Sequence, residues 1–315
     1  MSYKKKTALI FGISGQDGLY LTKLLQKKNF KVIGTSRKKK NIEKDLKLVK
    51  ADKNVKVYKV NPQIFKEVKY VIKKSKCDQI YYFSGISSVF YSFSHEEKTI
   101  NTNISGFVNI LEACRITNPN IRIYNAASSE CFGSSNKTIN EKTNFLPQSP
   151  YALSKVINVN LAQNYRDNLG MYVVNGFSFN HDSAFRPNGY ILKKISNYLR
   201  KKPKKKLKVG NINIIRDWSW APEHIEFIYK IMQSRKSDDY IIATGKSIKL
   251  KDIIFYFFKI FKIDKKNLEI NNKFLRKNDI IKSRGNPLKI KKKFRNLPQT
   301  DAYGLMKNLI DNKYF

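Results

Sequence analysis

The sequence predicts an α/β fold, a doubly wound parallel sheet with a smaller, mixed α/β lobe. Three observations carry this. Short apolar, β-rich segments alternate with longer helical ones through the first 180 residues, glycines crowd the first strand-to-helix turn, and the alternation loosens after Asn180. Strands are expected at Ala8 to Phe11, Lys31 to Thr35, Val55 to Val60, Ile80 to Phe83, Ile121 to Asn125 and Tyr172 to Ser178. Between them, Gly15 to Lys27 opens a helix at glycines and Phe65 to Lys74 is amphipathic. Gly106 to Ile116 repeats apolar residues at three- and four-residue spacing. These elements fit right-handed βαβ units. Beyond Asn180 the pattern is interrupted by Pro187, Gly189, Pro203 and a basic segment, before a strand-like Tyr240 to Thr244 and an apolar helix Lys251 to Phe261. The expected organisation is one domain over 1–179, with about 212–245 returning to it, and a smaller lobe from 180–211 and 246–315.

Composition narrows the class. The chain has 315 residues, 62 Lys+Arg against 24 Asp+Glu and a formal charge of +38, but it is 41% hydrophobic and 13% aromatic. That apolar content excludes a disordered polycation, and the length excludes a disulfide-stapled miniature. A spanning helix needs about 20 apolar residues, whereas the best run, Ile253 to Phe261, is shorter and broken by Lys259. The opening Met1-Ser2-Tyr3-Lys4-Lys5-Lys6 leads into a strand and glycines, not a cleavable apolar helix. A soluble, cytoplasmic protein without a membrane partner is expected. Cys77, Cys114 and Cys131 form no close pair, so they are expected to be reduced and structural, with no metal site. The basic runs Lys38 to Lys40, Arg200 to Lys206 and Lys289 to Arg295 are scattered and carry no reading motif. Dedicated nucleic-acid recognition is therefore not expected. The positive field instead favours capture of a small anion.

Two motifs carry chemistry. Directly after the first strand, Gly12-Ile13-Ser14-Gly15-Gln16-Asp17-Gly18 gives GxxGxxG spacing at a helix opening. Glycines there allow a tight bend and close approach of a pyrophosphate to backbone N–H groups, where the helix dipole favours an anion. The sheet is thus read as Rossmann-type, binding a dinucleotide. After the second strand stands Arg37, where an NAD site usually has an acidic residue. A guanidinium there suits a 2′-phosphate, so NADP is the expected cofactor. The second motif is Tyr151-Ala152-Leu153-Ser154-Lys155, whose Tyr and Lys share a helix face. The ammonium can lower the phenol pKa so that it moves a proton to or from a sugar hydroxyl during hydride transfer. Ser128, at the end of a predicted strand, can bond the same hydroxyl. Glu130 stands two residues beyond it. A carboxylate beside a redox site suggests removal of a carbon-bound proton as well, because a ketone at carbon 4 of a hexose acidifies the proton at carbon 5. Capping a helix or pairing with a lysine is its ordinary alternative.

The glycine turn, the Ser-Tyr-Lys set and Asn103 with Gly106 in an Asn-x-x-Gly helix opening resemble the extended, nucleotide-sugar branch of the short-chain dehydrogenase/reductase superfamily. Further stretches resemble the GDP-mannose 4,6-dehydratase family. These are Gly15-Gln16-Asp17-Gly18 with Tyr20-Leu21, Ser149-Pro150-Tyr151, Val174-Asn175-Gly176, Phe179-Asn180-His181-Asp182-Ser183, Lys194-Ile195, Gly210-Asn211, Arg216-Asp217-Trp218 and Asp238 to Gly245. The resemblance implies a redox-neutral lyase that converts GDP-mannose to GDP-4-keto-6-deoxymannose with NADP. It implies catalysis by Ser128, Glu130, Tyr151 and Lys155. Cofactor contacts would come from Gly12, Gly15, Gln16, Asp17, Gly18, Arg37, Asn61, Tyr151, Lys155 and His181, and substrate contacts from Ser87, Asn180, Lys194, Arg216 and Arg276. Departures are present. Asn61 stands for the family's Asp, Ser84 and Ser88 for the usual Gly or Ala and His, and Ser128 for Thr. The stretch from Arg37 to Asn61 is short, so a homodimer is expected as readily as the tetramer that this stretch helps build in the family. Two other readings remain: a 4-reductase or 4-epimerase of another nucleotide sugar, and a catalytically silent NADP-binding regulatory or RNA-associated protein.

Overall fold

The computed structural model describes residues 5–37, 42–51, 54–201, 205–275 and 278–315. In chain order the elements begin β1 (Thr7–Phe11), α1 (Gln16–Lys27), β2 (Lys31–Ser36), α2 (Ile42–Leu48), β3 (Lys56–Lys59), α3 (Phe65–Ser75), β4 (Gln79–Tyr82), α4 (Val89–Ser92), α5 (Glu96–Thr117), β5 (Arg122–Ser128), α6 (Pro150–Leu169) and β6 (Val173–Ser178). They continue with β7 (Asn180–Asp182), α7 (Ile191–Lys201), β8 (Leu207–Val209), β9 (Ile215–Trp220), α8 (Ala221–Met232), β10 (Asp239–Ile242), β11 (Ser247–Lys249) and α9 (Leu250–Ile260). The last are β12 (Leu268–Ile270), β13 (Lys282–Ser283), α10 (Leu288–Phe294) and α11 (Ala302–Ile310). The chain divides into two units. One takes the residues up to Cys131 with Ser149–Phe177 and Ile225–Tyr240, the other Phe132–Gln148, Ser178–His224 and Ile241–Phe315.

The first unit is built on a parallel seven-stranded sheet ordered β10-β6-β5-β4-β1-β2-β3, as the alternating pattern predicts. All five residues of β1 are buried, because a central parallel strand is covered on both faces. Leu9 and Phe11 point to one face with Ile80, Tyr82 and Ile123 of the neighbouring strands, packing on Val68 and Val71 of α3 and on Phe107, Ile110 and Leu111 of α5. The winding reverses between β1 and β4, so a crevice opens at the carboxyl ends of these two strands. This is where open α/β sheets bind their ligands.

Two helices depart from the sequence pattern. α5 begins at Glu96, ten residues before the expected Gly106. Its first half buries Thr99 and Asn103, polar residues that an apolar periodicity cannot register. α6 is capped by Ser149, whose hydroxyl accepts from Ala152 N at 3.1 Å, carries Pro150 in its first turn and stops at Gly170 with φ +64°.

The second unit has a sheet ordered β11-β9-β13, with β7 also pairing β9, and a two-stranded pair of β12 and β8. Leu192 and Ile195 of α7, Trp218 and Trp220 of β9, Phe257 and Phe258 of α9 and Leu305 of α11 share its core. Residues 132–148, expected in the first domain, group here because Ser135 N donates to Lys282 O at 2.9 Å and Ile139 N to Arg284 O at 2.8 Å. The segment returning to the first unit is Ile225–Tyr240 rather than about 212–245, since β9 pairs with β7, β11 and β13. Among the described residues no helix is long and apolar enough to cross a membrane. Cys77, Cys114 and Cys131 are free and buried, and burial raises all three thiols.

Candidate active site

The glycine turn follows β1 at the crevice. Gly12 has φ +90°, a backbone that L side chains rarely adopt, and Gly15 N donates to Gly12 O at 3.0 Å to close the bend. A Cβ on Gly12 would lie 2.9 Å from Ser84 N, which places the segment after β4 directly against the turn. A Cβ on Gly18 would lie 2.5 Å from Gly12 O and 2.6 Å from Ile13 Cα, so α1 can pack on the turn only without a side chain there. Gly15 caps α1 without a side-chain bond, at a helix end whose dipole favours an anion. Gln16 is buried and donates to Asp17 Oδ1 at 3.1 Å. We expect Gly18→Ala to cost about 1–3 kcal/mol through overpacking against backbone, read as a lowered denaturation midpoint. An unchanged midpoint would contradict this packing.

Ser14 Oγ lies 3.2 Å from Ser36 Oγ, tying the turn to the end of β2, and the next residue, Arg37, is exposed there. Past β3, Asn61 Oδ1 accepts from Gln63 N at 3.3 Å while Asn61 N donates to Glu67 Oε2 at 2.7 Å. Arg37 and Asn61 thus follow neighbouring strands on one side of the crevice. Ser87 is exposed in the segment between β4 and α4.

At the end of β5, Ser128 is 9% exposed and its hydroxyl accepts from Glu130 N at 3.2 Å. That bond turns the chain into a 3₁₀ segment, Ser129–Phe132, holding half-buried Glu130 two residues from the hydroxyl. Tyr151 and Lys155 sit on α6, which packs on β5. Tyr151 is 8% exposed and Lys155 is 7% exposed. The Lys155 Nζ donates to Ala126 O at 2.8 Å and stands 5.8 Å from the centre of the Tyr151 ring. Burial pushes the Lys155 pKa down to about 8, against the opposing charges of Cys131 and of Asp17 in the glycine turn. The electrostatic reach of Asp17 links the two motifs at one end of the sheet.

A family model described as GDP-mannose 4,6 dehydratase matches residues 9–309. A GDP-mannose 4,6 dehydratase of Arabidopsis thaliana is 31% identical over 326 residues, covering 98% of this chain and 89% of that protein. The chain belongs to the GDP-mannose 4,6-dehydratase family. It is an enzyme of the lyase class, in agreement with the resemblance read from its motifs. The fold is shared more widely. A dTDP-glucose 4,6-dehydratase of Bacillus anthracis solved with NAD superposes with a TM-score of 0.85 at 20% identity, over 97% of this chain and 96% of that one. A UDP-glucose 4-epimerase of Thermotoga maritima solved with UDP-glucose gives 0.87 at 16% identity, over 97% and 98%.

In this GDP-mannose 4,6-dehydratase family member the remaining predicted residues lie on the second unit. Asn180 and His181 are on β7, where the His181 Nδ1 bonds Phe179 O at 2.8 Å and the ring stacks on His224 at 4.4 Å. Lys194 on α7 places its Nζ 3.9 Å from the centre of the Phe274 ring. Arg216, expected to reach a phosphate, is 4% exposed and donates to the carbonyls of Ile215, Ile280 and Ile281, with Asp279 at 3.8 Å. Those bonds join β9 to the segment leading into β13. Arg276 lies outside the described residues.

The Asn-x-x-Gly spacing marks Asn103 without showing what its side chain does. Its Oδ1 accepts from Ile86 N at 2.8 Å, and its Nδ2 donates to Ile86 O at 3.1 Å and to Ser154 Oγ at 2.9 Å. One buried amide therefore fastens the Ser84–Ser88 segment to the helix that carries Tyr151 and Lys155. The Asn-x-x-Gly spacing marked the position, but only the fold shows which segments it joins.

Proposed function

We propose that this enzyme converts GDP-mannose to GDP-4-keto-6-deoxymannose with NADP as its cofactor, and that Ser128, Glu130, Tyr151 and Lys155 carry the chemistry. The single observation behind the dehydratase reading is Glu130, held by the Ser128 hydroxyl at the redox end of β5. The uncapped glycine turn, with no room for a Cβ at Gly18, fits a dinucleotide pyrophosphate. NAD held by a solved structure of the same fold supports a nicotinamide cofactor. A bound nicotinamide would supply the hydride acceptor for carbon 4 of the sugar and the donor for carbon 6. Tyr151, with Ser128 bonding the same hydroxyl, takes the proton from the carbon 4 oxygen, and Lys155 holds the phenolate. The ketone acidifies carbon 5. Glu130 takes that proton and passes it to the hydroxyl of carbon 6, which leaves as water. Tyr151 would then return its proton to carbon 5 as carbon 6 gains the hydride, leaving the sugar lighter by one water. Asn180, Lys194, Arg216 and Arg276 are the candidate substrate contacts outside the first unit, and Ser87 that within it.

Incubation with GDP-mannose should give a sugar product lighter by one water. An unchanged mass would point to a 4-epimerase instead. Arg37→Ser should weaken NADP binding relative to NAD by roughly 10- to 100-fold, the worth of about 1.5–3 kcal/mol for a bond to a charged group. Equal loss for both dinucleotides would remove Arg37 from the 2′-phosphate. The depressed Lys155 pKa sets an alkaline limit. Below about 8 the ammonium is present to hold the phenolate, and above it the free enzyme loses that charge. kcat/KM should therefore fall as pH rises through about 8, and Lys155→Arg should move the limb upward. A limb that stays in place in that variant would assign it to another group. A cytoplasmic homodimer completes the reading, supported by the resemblance and by apolar Ile116 and Leu153 exposed on α5 and α6.

A further inference from the structure

A second cationic feature lies in the first unit, at the end of the sheet opposite the glycine turn. A cavity of about 810 Å³ is lined, among the described residues, by Lys5, Lys31, Lys47 and Lys50 with Gln26 and Phe30, and also by Val32 and Asn54. These side chains come from separate stretches: two residues before β1, the end of α1 and the turn after it, the start of β2, the end of α2 and the residues after it, and the approach to β3. Because β1, β2 and β3 run parallel, their amino ends are together here and their carboxyl ends are at the crevice. At about 3.3 Å per residue, the five-residue β1 separates the two by roughly 16 Å.

Among the described residues, neighbouring carboxylates and helix ends do not balance these lysines. α1 and α2 both end beside it, and two helix C-termini present about one negative charge in total, against four ammonium groups. Among the described residues no Asp or Glu lines the cavity, and none of these four lysines forms an ion pair with a described carboxylate. Nearby carboxylates face other groups. Asp78 accepts from Thr7 N at 2.7 Å, and Asp45 on α2 interacts with Lys44. Like charge crowds the corner further, since Lys23 of α1 is shifted down first by burial and then by Lys50 and Lys27. The volume is in the range of small-ligand pockets. Phe30 and Val32 add an apolar wall, and Gln26 and Asn54 add amides.

We propose that this cavity is a binding site for a compact polyanion of the oligophosphate class, separate from the catalytic crevice and independent of the activity assigned there. Inorganic tripolyphosphate, titrated calorimetrically into the full chain, should bind with micromolar affinity and weaken as salt screens the ammonium groups. The double variant Lys31→Glu, Lys50→Glu, at two exposed positions, should lose at least tenfold in this affinity while keeping its turnover. Arg37→Ser, at the other end of the sheet, should leave the affinity unchanged. ATP in place of tripolyphosphate distinguishes the sources: equal affinity means that the phosphates alone are read, and tighter ATP means a nucleoside form. Three results would overturn the proposal. These are tripolyphosphate binding that survives the double variant, binding lost with Arg37→Ser, and tighter binding of single-stranded oligouridylate with the same sensitivity to the double variant, which would mean an open nucleic-acid track.

Discussion

Tyr151→Phe is expected to lower kcat by about 10²–10⁴-fold, the usual contribution of a positioned acid–base group, and to abolish the transient reduction of the cofactor in a single turnover. The reason is local. Tyr151 is nearly buried in the first turn of α6, one helical turn before Lys155, whose Nζ is anchored 2.8 Å from Ala126 O on the strand that ends at Ser128. With the phenol removed, the sugar hydroxyl at carbon 4 loses its assigned acceptor: the Ser128 hydroxyl has no comparable acidity, Lys155 already donates to a carbonyl, and Glu130 is assigned to the carbon 5 proton. The fold should survive, since the ring stays in place. Substrate affinity should change little, and retained turnover with normal cofactor reduction would remove Tyr151 from the reaction.

Glu130→Gln should have a comparable effect on overall turnover but a different signature. The amide keeps the size of the side chain and the backbone bond from Glu130 N to Ser128 Oγ, yet it cannot take a proton from carbon. Oxidation at carbon 4 should continue, so that reduced cofactor accumulates while loss of water slows by about 10²–10⁴-fold. Exchange of the carbon 5 proton with deuterated solvent should disappear with it. If dehydration and oxidation fell together, Glu130 would be a positioning residue and another base would be needed.

Most of the candidate site in the first unit is legible in the sequence because its proposed chemistry asks for residue types at fixed spacing. The glycine turn, Ser128, and Tyr151 with Lys155 fall where the strand and helix pattern puts them. What escaped depends on contacts between distant segments. The first half of α5 is buried through Thr99 and Asn103, and α6 buries Ser154, Lys155 and Asn158 among its core residues, so apolar periodicity is weak in both. The grouping of 132–148 with the second unit rests on bonds to residues more than a hundred positions away. Arg216 shows the same limit at one side chain. Its motif suggests a phosphate ligand, and no spacing announces that the guanidinium also donates to three backbone carbonyls.

The central claim is internal transfer of hydride from carbon 4 to carbon 6 with loss of water. GDP-mannose carrying deuterium at carbon 4, incubated with the enzyme and followed by mass spectrometry and NMR of the sugar, tests it directly. The product should be lighter by one water and carry the label at carbon 6. A product of unchanged mass, or a dehydrated product whose label has gone to solvent, would contradict it.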